Sequence, residues 1–286
     1  MIFIFLCRIP RQVPQQPYST NEVKSNEKKY FKLISWNIDG LDKLQETLRE
    51  RTSSVINVIK QEEPDVIFFQ EVIPKSLDLF KNHLDDYDFY TGNNKGYFVS
   101  IFTRSETLKV KKHQIFSYPE TIMSRNLLIV HALYNNSIEI DLMTSHLESG
   151  ETFVNERIQQ LKFCFEKMIN APKNRIVLFG GDLNIHNNEL QQVGDIPTDI
   201  NDLWMVMGKN EKWAYTWDTQ LNTNLNFSRD CFLPRYRFDR IYVRSAKASS
   251  RFHFKPISFK LQGLEMIPSI HRFCSDHWAI QVEFEL

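Results

Sequence analysis

Cysteine is scarce in this 286-residue sequence, and the few thiols are far apart. The four are Cys7, Cys164, Cys231 and Cys274, so no CxxC or CxxH spacing occurs. Zinc sites and redox pairs use such short spacings, and their absence argues against both. Scattered thiols in a chain of this length instead predict reduced cysteines in a nuclear or cytosolic protein.

Glycine, proline and long apolar runs are also sparse. The chain has nine glycines and eleven prolines, together about 7% of its residues. The average combined usage of these two residues is about 12%, so the low value excludes a collagen-like or linker-rich protein. The apolar run at residues 2–6 is short beside the roughly 20 residues that cross a bilayer, and no basic region precedes it. We therefore expect neither a membrane span nor a signal peptide, and keep a secreted nuclease as an alternative.

The chain carries no net charge, because 35 basic residues balance 35 acidic ones. Attraction to nucleic acid must then come from local patches. Residues 229–255 form one candidate, since eight Arg or Lys and two Asp are interleaved there with aromatic residues, as is typical of single-stranded nucleic-acid binding. Lys109, Lys111 and Lys112 form a smaller cluster. A solvated surface is the alternative for both.

Apolar patterning divides the chain into a short first segment and one long domain. Residues 1–30 hold Pro10, Pro14 and Pro17 and then a polar stretch, which predicts a flexible N-terminal arm. Residues 31–286 carry apolar segments without a long linker between them. We therefore expect this second segment to fold as one domain.

Within that domain, helical and strand patterns alternate at some points, and strands follow strands at others. Continuous apolar runs at 66–69 and 176–179 are typical of strands buried on both faces. Leucines spaced by three and four predict a helix that begins near Leu41 and ends before Pro64. Helical crossovers together with hairpins predict a layered α/β domain with mixed sheets.

Polar residues capable of chemistry lie at the ends of several predicted strands. They are Asn37, Glu71, His146, Asp182 with Asn184, and the pair Asp276 and His277 before the last strand. Strand ends in layered α/β folds meet at one rim, where loops carry binding and catalytic groups. Each residue alone also fits a turn, a cap or a solvated surface. Their joint occurrence is what predicts a site.

Short motifs around these residues occur in the order found in the endonuclease/exonuclease/phosphatase superfamily, which includes DNase I. They are Ser35-Trp36-Asn37, Phe69-Gln70-Glu71, Gly181-Asp182-Leu183-Asn184 and Ser275-Asp276-His277. Longer segments resemble the 5′-tyrosyl-DNA phosphodiesterase family within it, namely residues 36–42, 125–128, 144–149 and 215–220. The resemblance covers residues 31–286, whereas residues 1–30 do not resemble the ubiquitin-binding region that precedes the catalytic domain in vertebrate members.

This resemblance implies a fold, an activity and a partner. The fold is a four-layer α/β sandwich of two mixed sheets flanked by helices. The activity is Mg²⁺-dependent hydrolysis of the 5′-phosphotyrosyl bond between topoisomerase II and DNA ends, leaving a free 5′-phosphate, with Mn²⁺ able to replace Mg²⁺. The resemblance also implies a monomeric DNA-repair enzyme that prefers single-stranded 5′ ends, has no membrane partner and acts in the nucleus, with the cytoplasm as a second location.

Phosphodiester hydrolysis suggests a division of roles among the strand-end residues. Glu71 offers the hard oxygen ligand that Mg²⁺ prefers, and the matching glutamate of the family holds the metal. Asn37 has an amide that can orient this carboxylate, bind the metal or touch the phosphate. Asp182, with Asn184 as its hydrogen-bond partner, is expected to orient and deprotonate the attacking water. Because a carboxylate is a weak base, positioning carries much of that role.

The two histidines are expected to donate hydrogen bonds to the phosphoryl oxygens as charge develops. A carboxylate usually fixes the tautomer of such a histidine. Asp276 would point to the opposite face of a strand from its neighbour His277. Asp239 is therefore the expected partner of His277, with an ion pair to a neighbouring arginine as the alternative. Asp276 is left to assist His146 or the metal.

Substrate contacts are expected on both sides of the scissile bond. The phenol of tyrosine, with a pKa near 10, leaves with less general-acid help than a sugar alcohol. Arg125 and Tyr97 match family positions, and we expect them beside the tyrosine ring, the guanidinium making a cation–π contact. By resemblance, Ser149, Asn37 and Asn184 are also expected to contact the substrate. Trp217, Phe227 and Phe238 are expected to form a wall against the 5′-terminal base, with core packing as the alternative.

Two other functions remain open from the sequence. A related enzyme with the same core would cleave abasic DNA, RNA tails or phosphoinositides, and Arg125, Tyr97 and residues 215–220 argue against it. A noncatalytic DNA- or protein-binding module is the second. The acidic and imidazole residues of the strand ends are all present, which argues against a module that has lost catalysis.

Overall fold

Two six-stranded sheets pack face to face in the computed structural model, which describes residues 30–227, 232–247 and 254–286. The predicted N-terminal arm therefore lies outside the described residues except for Tyr30, which begins the first strand. Cys7, Arg229, Cys231 and Arg251 also lie outside them. The helices are α1 (Leu48–Glu62), α2 (Pro74–His83), α3 (Val154–Asn170), α4 (Asn187–Val193) and α5 (Leu203–Val206), and short 3-10 helices span Gln45–Thr47, Glu151–Phe153 and Glu211–Trp213.

The strands follow in chain order. They are β1 (Tyr30–Asn37), β2 (Val66–Val72), β3 (Tyr87–Thr91), β4 (Phe98–Arg104), β5 (Leu108–Ser117), β6 (Asn126–Tyr134), β7 (Ile138–His146), β8 (Ile176–Asp182), β9 (Asn201–Asp202), β10 (Trp217–Asp218), β11 (Arg235–Tyr236), β12 (Asp239–Arg244), β13 (Lys255–Gln262), β14 (Met266–Ile267), β15 (Arg272–Phe273) and β16 (Ala279–Glu285).

The first sheet has the strand order β13-β16-β1-β2-β4-β3, and the second has the order β5-β6-β7-β8-β12-β9. Each contains one parallel pair, β1 with β2 and β7 with β8, among antiparallel neighbours. The parallel pairs are the places where helical crossovers return the chain, since parallel neighbours cannot be joined by a tight hairpin. The prediction of two mixed sheets is confirmed.

Three apolar clusters make the layers. The central one lies between the sheets and includes Phe31, Phe68, Leu142 and Leu178. The other two lie outside, where α1 and α2 cover the first sheet and α3 covers the second. Because both faces of β2 and β8 are covered, their apolar runs are continuous rather than alternating. The four-layer sandwich is confirmed.

The first helix begins later than its leucine spacing predicts. It starts at Leu48, and the side chains of Leu41 and Leu44 are 51% and 45% exposed. The backbone of Asp39 is left-handed, with φ of 50°, and the Asp42 carboxylate is held by Arg272. These constraints keep the segment out of the helix and at the rim of the sheet.

The predicted basic surface at 229–255 is wrong for its described arginines. Arg240 and Arg244 are buried in β12, with 1% and 2% exposure. Arg237 pairs with Asp202 at 2.8 Å, and Arg235 pairs with Asp218 at 2.7 Å. Charges that are buried or paired internally add little to an external field. In the smaller cluster, Lys111 is paired with Glu139 at 2.7 Å.

Two described cysteines, Cys164 and Cys274, are buried free thiols. Burial raises the pKa of each to about 12, so both stay protonated and unreactive at neutral pH. Among the described helices, none combines the length and apolar character that a membrane span needs.

Candidate active site

Strand register brings three of the predicted residues to one edge of the second sheet. His146 ends β7 and lies opposite Asp182 at the end of β8, and Asp182 in turn lies opposite Asp239 at the start of β12. This register places His146 Nε2 3.3 Å from Asp182 Oδ2. Each of the three residues is buried.

The first sheet contributes Asn37 and Glu71 from the other side of the interface between the sheets. Asn37 ends β1, and its Nδ2 donates to Asp182 Oδ2 at 2.9 Å and to Glu71 Oε1 at 3.3 Å. One amide therefore joins the carboxylates of both sheets. The structure brings Asn37, Glu71, His146 and Asp182 to the shared rim that the strand-end pattern predicted.

Glu71 owes its position to an irregularity in β2. The register with β4 shifts between Phe69 and Val72, and Glu71 itself has a left-handed φ of 57°. Its carbonyl oxygen lies close to Gly40, where an added Cβ would stand 2.0 Å from that oxygen. Only glycine allows this approach, so Gly40 and the bulge together aim the carboxylate at the rim.

Gly40→Ala is expected to lower the free energy of unfolding by about 2–3 kcal/mol, because the new methyl group collides with backbone that cannot move away. Gly96→Ala is the matched control, since Gly96 has a left-handed φ of 65° but open space around it; strain alone should cost about 1 kcal/mol there. Urea denaturation measures both, and a cost for Gly40→Ala no greater than that of the control would contradict the steric account.

His277 and Asp239 form a buried hydrogen-bonded pair. His277 Nδ1 is 2.8 Å from Asp239 Oδ2, and Asp239 is fully buried. Burial alone would lower the pKa of His277, but Asp239, Asp276 and Asp182 together raise that pKa well above its ordinary value. The expected contact is present, and it leaves His277 Nε2 facing Asp182 Oδ2 at 3.7 Å.

His146 is oriented differently from the sequence-based expectation. Its Nδ1 lies 2.7 Å from Nη1 of Arg125, and a guanidinium can only donate. Nδ1 therefore accepts, and the ring proton resides on Nε2, on the side of Asp182. Asp276 Oδ2 accepts a hydrogen bond from Trp217 Nε1 at 3.1 Å, and the assistance of Asp276 to His146 or to the metal stays a prediction.

Asp182 is surrounded by the imidazoles of His146 and His277 and by the amide of Asn37. Burial would raise its pKa, but the imidazoles of His146 and His277 and the Asn37 amide outweigh burial and lower that pKa below its ordinary value. The carboxylate is thus ionised at neutral pH and a weak base. Asn184 supports it through its backbone N–H, which donates to Oδ1 at 3.1 Å, whereas its side-chain amide donates to the carbonyl of Leu147 at 3.2 Å.

Asp39, which the sequence reasoning missed, joins Glu71 and Asp276 in an acidic group at the rim. Burial, then Asp276 and Glu71, raise the pKa of Asp39 although the Arg51 guanidinium opposes them. The raised pKa, about 9, means that Asp39 holds a proton at neutral pH when no cation is bound, and a bound divalent cation would displace this proton. An all-oxygen set of carboxyl groups fits a hard divalent cation such as Mg²⁺. The position of Asp39, two residues after Asn37 in the same motif, was the available signal.

A different group, Asp182, Asp239 and His277, has its possible ligand atoms close together. One ligand atom from each of Asp182, Asp239 and His277 can be chosen so that all are within 4.8 Å of one another. These side chains already hydrogen-bond to one another or to Asn37. A nitrogen-containing, internally bonded set suits Mg²⁺ less well than the carboxylates of the rim.

Aromatic rings form a wall beside the site. Trp217 lies 5.7 Å from Phe238 and 6.2 Å from Phe227, measured between ring centroids. The sequence reasoning missed Tyr236, which stacks on Trp217 at 6.0 Å because the two face each other across β10 and β11. It also missed His186, whose ring edge meets Tyr236 at 4.7 Å. Phe227 is 43% exposed, so the wall borders solvent.

A narrow pocket lies beside His146 and is lined in part by Tyr97, Met123 and Arg125. The Arg125 guanidinium lies over the Tyr97 ring at 5.0 Å from its centroid. Ser149 also lies on this side, where its hydroxyl contacts the Met123 sulfur at 3.4 Å. Arg125 and Tyr97 therefore lie on the same side of the site, as expected, and the contact of the guanidinium with a substrate ring stays a prediction.

Comparisons with known proteins agree with this geometry. Residues 34–277 match the model of the Endonuclease/Exonuclease/phosphatase family. Tyrosyl-DNA phosphodiesterase 2 of Homo sapiens is 41% identical over 90% of this chain and 68% of its own length, and that of Xenopus tropicalis is 37% identical over 94% and 69%.

Solved structures give the same relationship. The chain matches D. rerio tyrosyl-DNA phosphodiesterase 2 complexed with single strand DNA product with a TM-score of 0.86 and 37% identity, covering 91% of this chain and 100% of that one. The C. elegans TDP2 structure matches with a TM-score of 0.79 and 30% identity, and the match covers 90% of this chain and 75% of that one. A mannosyl-6-phosphatase of Bacteroides thetaiotaomicron matches with a TM-score of 0.67 over 90% of this chain and 100% of that one. Its identity is 17%, so this match shows a shared fold alone. The chain therefore belongs to the endonuclease/exonuclease/phosphatase family and, within it, to the tyrosyl-DNA phosphodiesterase 2 group.

Proposed function

We propose that this chain hydrolyses the 5′-phosphotyrosyl bond that joins a protein tyrosine to a DNA end, leaving a 5′-phosphate. The observation that carries the proposal is the joining of both sheets by Asn37, which holds Asp182 and Glu71 on either side of a single rim. The relatives named tyrosyl-DNA phosphodiesterase 2 support the reaction class.

Asp182 positions the attacking water in this proposal. Its ionised carboxylate accepts a hydrogen bond from the water and aligns one oxygen lone pair with phosphorus. Its lowered pKa makes full proton removal in advance unfavourable, so the proton moves as the phosphorus–oxygen bond forms. Asn184 and Asn37 fix the carboxylate from two directions.

The two imidazoles stabilise charge on the nonbridging oxygens. His277, with its raised pKa, carries a proton on Nε2 and donates as a cation, while Asp239 holds the ring from behind. His146 donates from Nε2, because its other nitrogen faces Arg125. Donors placed in advance need no reorganisation during the reaction, which is why such arrangements accelerate hydrolysis.

Glu71 would hold a divalent cation, with Asn37, Asp39 and Asp276 beside it. When bound, Mg²⁺ supplies a Lewis acid for the phosphoryl oxygens, and Mn²⁺ replaces it in an oxygen-ligand site of this kind. The raised pKa of Asp39 supports this placement, because burial and the neighbouring carboxylates Asp276 and Glu71 oppose its ionisation until a cation is bound.

The leaving group distinguishes this reaction from its nearest rivals. Arg125 presents a guanidinium, already over Tyr97, to the side on which a tyrosine ring would leave. On the other side, the wall of Trp217, Phe227, Tyr236 and Phe238 offers ring surface to a 5′-terminal base, which favours unpaired ends. The substrate we propose is a topoisomerase II adduct on a DNA end. We propose that the chain acts as a monomer in the nucleus, with the cytoplasm as a second location.

A direct comparison of substrates tests the function. With Mg²⁺ present, release of tyrosine from a 5′-tyrosyl oligonucleotide is expected to have a kcat/KM at least about 100-fold above that for an abasic duplex, an RNA tail or an inositol phosphate. The reason is that a substrate without a tyrosine ring cannot use the Arg125 guanidinium in the transition state, and its leaving group needs more proton donation. A preference for any of the other substrates would assign a different enzyme of the same fold. Tight DNA binding without turnover would assign a noncatalytic module.

A further inference from the structure

Glu148 lies in the 144–149 segment, yet the site described above gives it no part. The residue is fully buried. Its main-chain groups are held from the side of α3, since its N–H donates to Gln160 Oε1 at 2.9 Å and its carbonyl accepts from Arg157 Nη1 at 2.9 Å. The backbone of Glu148 is thus fixed to a long helix.

The carboxylate of Glu148 reaches in the other direction. Its Oε1 accepts from Thr121 Oγ1 at 2.6 Å, from the backbone N–H of Ile122 at 2.9 Å and from that of Met123 at 3.2 Å. Its Oε2 is buried with no hydrogen-bond partner among the described residues. A buried charge is costly unless it is hydrogen-bonded, and here all the described hydrogen bonds of this charge go to residues 121–123.

The loop that receives these bonds, residues 119–124, has its other described side-chain contacts at Met123, where Tyr97, Arg125 and Ser149 approach at 3.4–3.5 Å. It connects β5 to β6, and Glu120 and Ser124 have left-handed φ values of 61° and 55°. Residues other than glycine keep such conformations only where their surroundings impose them. The Ile122 side chain is 67% exposed, so apolar burial contributes little at this point.

Arg125 follows the loop directly and depends on it. Its backbone N–H donates to Thr121 Oγ1 at 2.8 Å, so the hydroxyl that donates to Glu148 also accepts from Arg125. The Arg125 side chain then reaches His146 Nδ1 and the Tyr97 ring. A continuous series of hydrogen bonds runs from α3 through Glu148 to the tyrosine side of the site.

We infer that Glu148 is a positioning residue, which anchors loop 119–124 so that Arg125 fixes His146 and presents its guanidinium to the aromatic leaving group. The inference rests on the proposed function and deepens it, because it names the residue that maintains selectivity for a tyrosyl leaving group. Glu148 does not touch the substrate in this account and acts through Arg125.

A double-mutant cycle tests the coupling. Glu148→Ala is expected to lower kcat/KM on the 5′-tyrosyl oligonucleotide about 30-fold, mainly through kcat, and Glu148→Gln, which keeps an acceptor oxygen but loses the charge, about 3-fold. In an Arg125→Ala background, Glu148→Ala should change the rate less than about 2-fold. Equal losses in both backgrounds, or no loss in either, would overturn the inference.

Hydrogen exchange gives a second readout that needs no turnover. The amides of Ile122, Met123 and Arg125 donate into this network, so their exchange should accelerate at least about tenfold in Glu148→Ala and to a smaller degree in Glu148→Gln. Glu120→Gln, an exposed glutamate of the same loop, is the control and should leave them unchanged.

Unchanged exchange in both Glu148 variants would overturn the inference even if the wild type is active. A wild-type protein that releases no tyrosine would overturn the proposed function, and exchange alone would then decide whether Glu148 anchors the loop.

Discussion

Asp182→Asn is expected to lower kcat for tyrosine release about 10³-fold while leaving KM within a few-fold. The substitution keeps the volume and the hydrogen-bond donor from Asn184, but it removes the negative charge between two imidazoles and replaces an oxygen acceptor by a donor. The attacking water then loses its alignment, and the two histidines lose the anion that faces them. Single-turnover kinetics with a 5′-tyrosyl oligonucleotide measure the effect.

The control for this substitution is Asp85→Asn, which changes an exposed carboxylate and should leave kcat unchanged. Circular dichroism of the Asp182→Asn protein should match that of the wild type, since no volume changes. Retention of more than about a tenth of the wild-type kcat would remove Asp182 from the centre of the mechanism, whatever the identity of the substrate.

Removal of divalent cations by a chelator is expected to abolish turnover, and added Mg²⁺ to restore it. The physical reason is that Glu71, Asp39 and Asp276 supply oxygen ligands but no positive charge, so without the cation nothing at this rim acts as a Lewis acid on the phosphoryl oxygens. Glu71→Gln should raise the Mg²⁺ concentration for half-maximal activity at least about tenfold, because an amide oxygen binds Mg²⁺ more weakly than a carboxylate. A Mg²⁺ titration of initial rates provides both values.

Glu50→Gln, an exposed glutamate on α1, is the matched control and should leave the Mg²⁺ dependence unchanged. Full activity in the presence of chelator would exclude the proposed role of Glu71. A Glu71→Gln protein with the wild-type Mg²⁺ midpoint would move the cation away from the rim and toward the deeper group of Asp182, Asp239 and His277.

The layered fold could be predicted because strand and helix periods are local properties of the sequence. Apolar runs in β2 and β8 indicated strands covered on both faces, and such strands require helices or a second sheet on each side. The start of α1 could not be placed from leucine spacing, since Asp42 is held by Arg272, which lies far away in the chain. A helix boundary set by a distant partner leaves no local signal.

The same limit explains the outcome at the candidate site. Asn37, Glu71, His146 and Asp182 were found because strand ends converge, and the pairing of His277 with Asp239 followed from the alternation of side chains along a strand. The partner of His146 was missed, because the contact with Arg125 depends on the register between β6 and β7. The arginines of β12 were misread as surface because their burial and partners, such as Asp202, are not visible in local composition.

The Asn37 amide bonds to a carboxylate of each sheet, so the geometry of the active site depends on the packing of the two sheets against each other. Glu71 belongs to one sheet and Asp182 to the other, so a slight separation of the sandwich disconnects them while each sheet keeps its secondary structure. Partial opening of this kind requires less free energy than complete unfolding. Catalytic competence thus depends on how the two sheets meet, as well as on the residues that each sheet contributes.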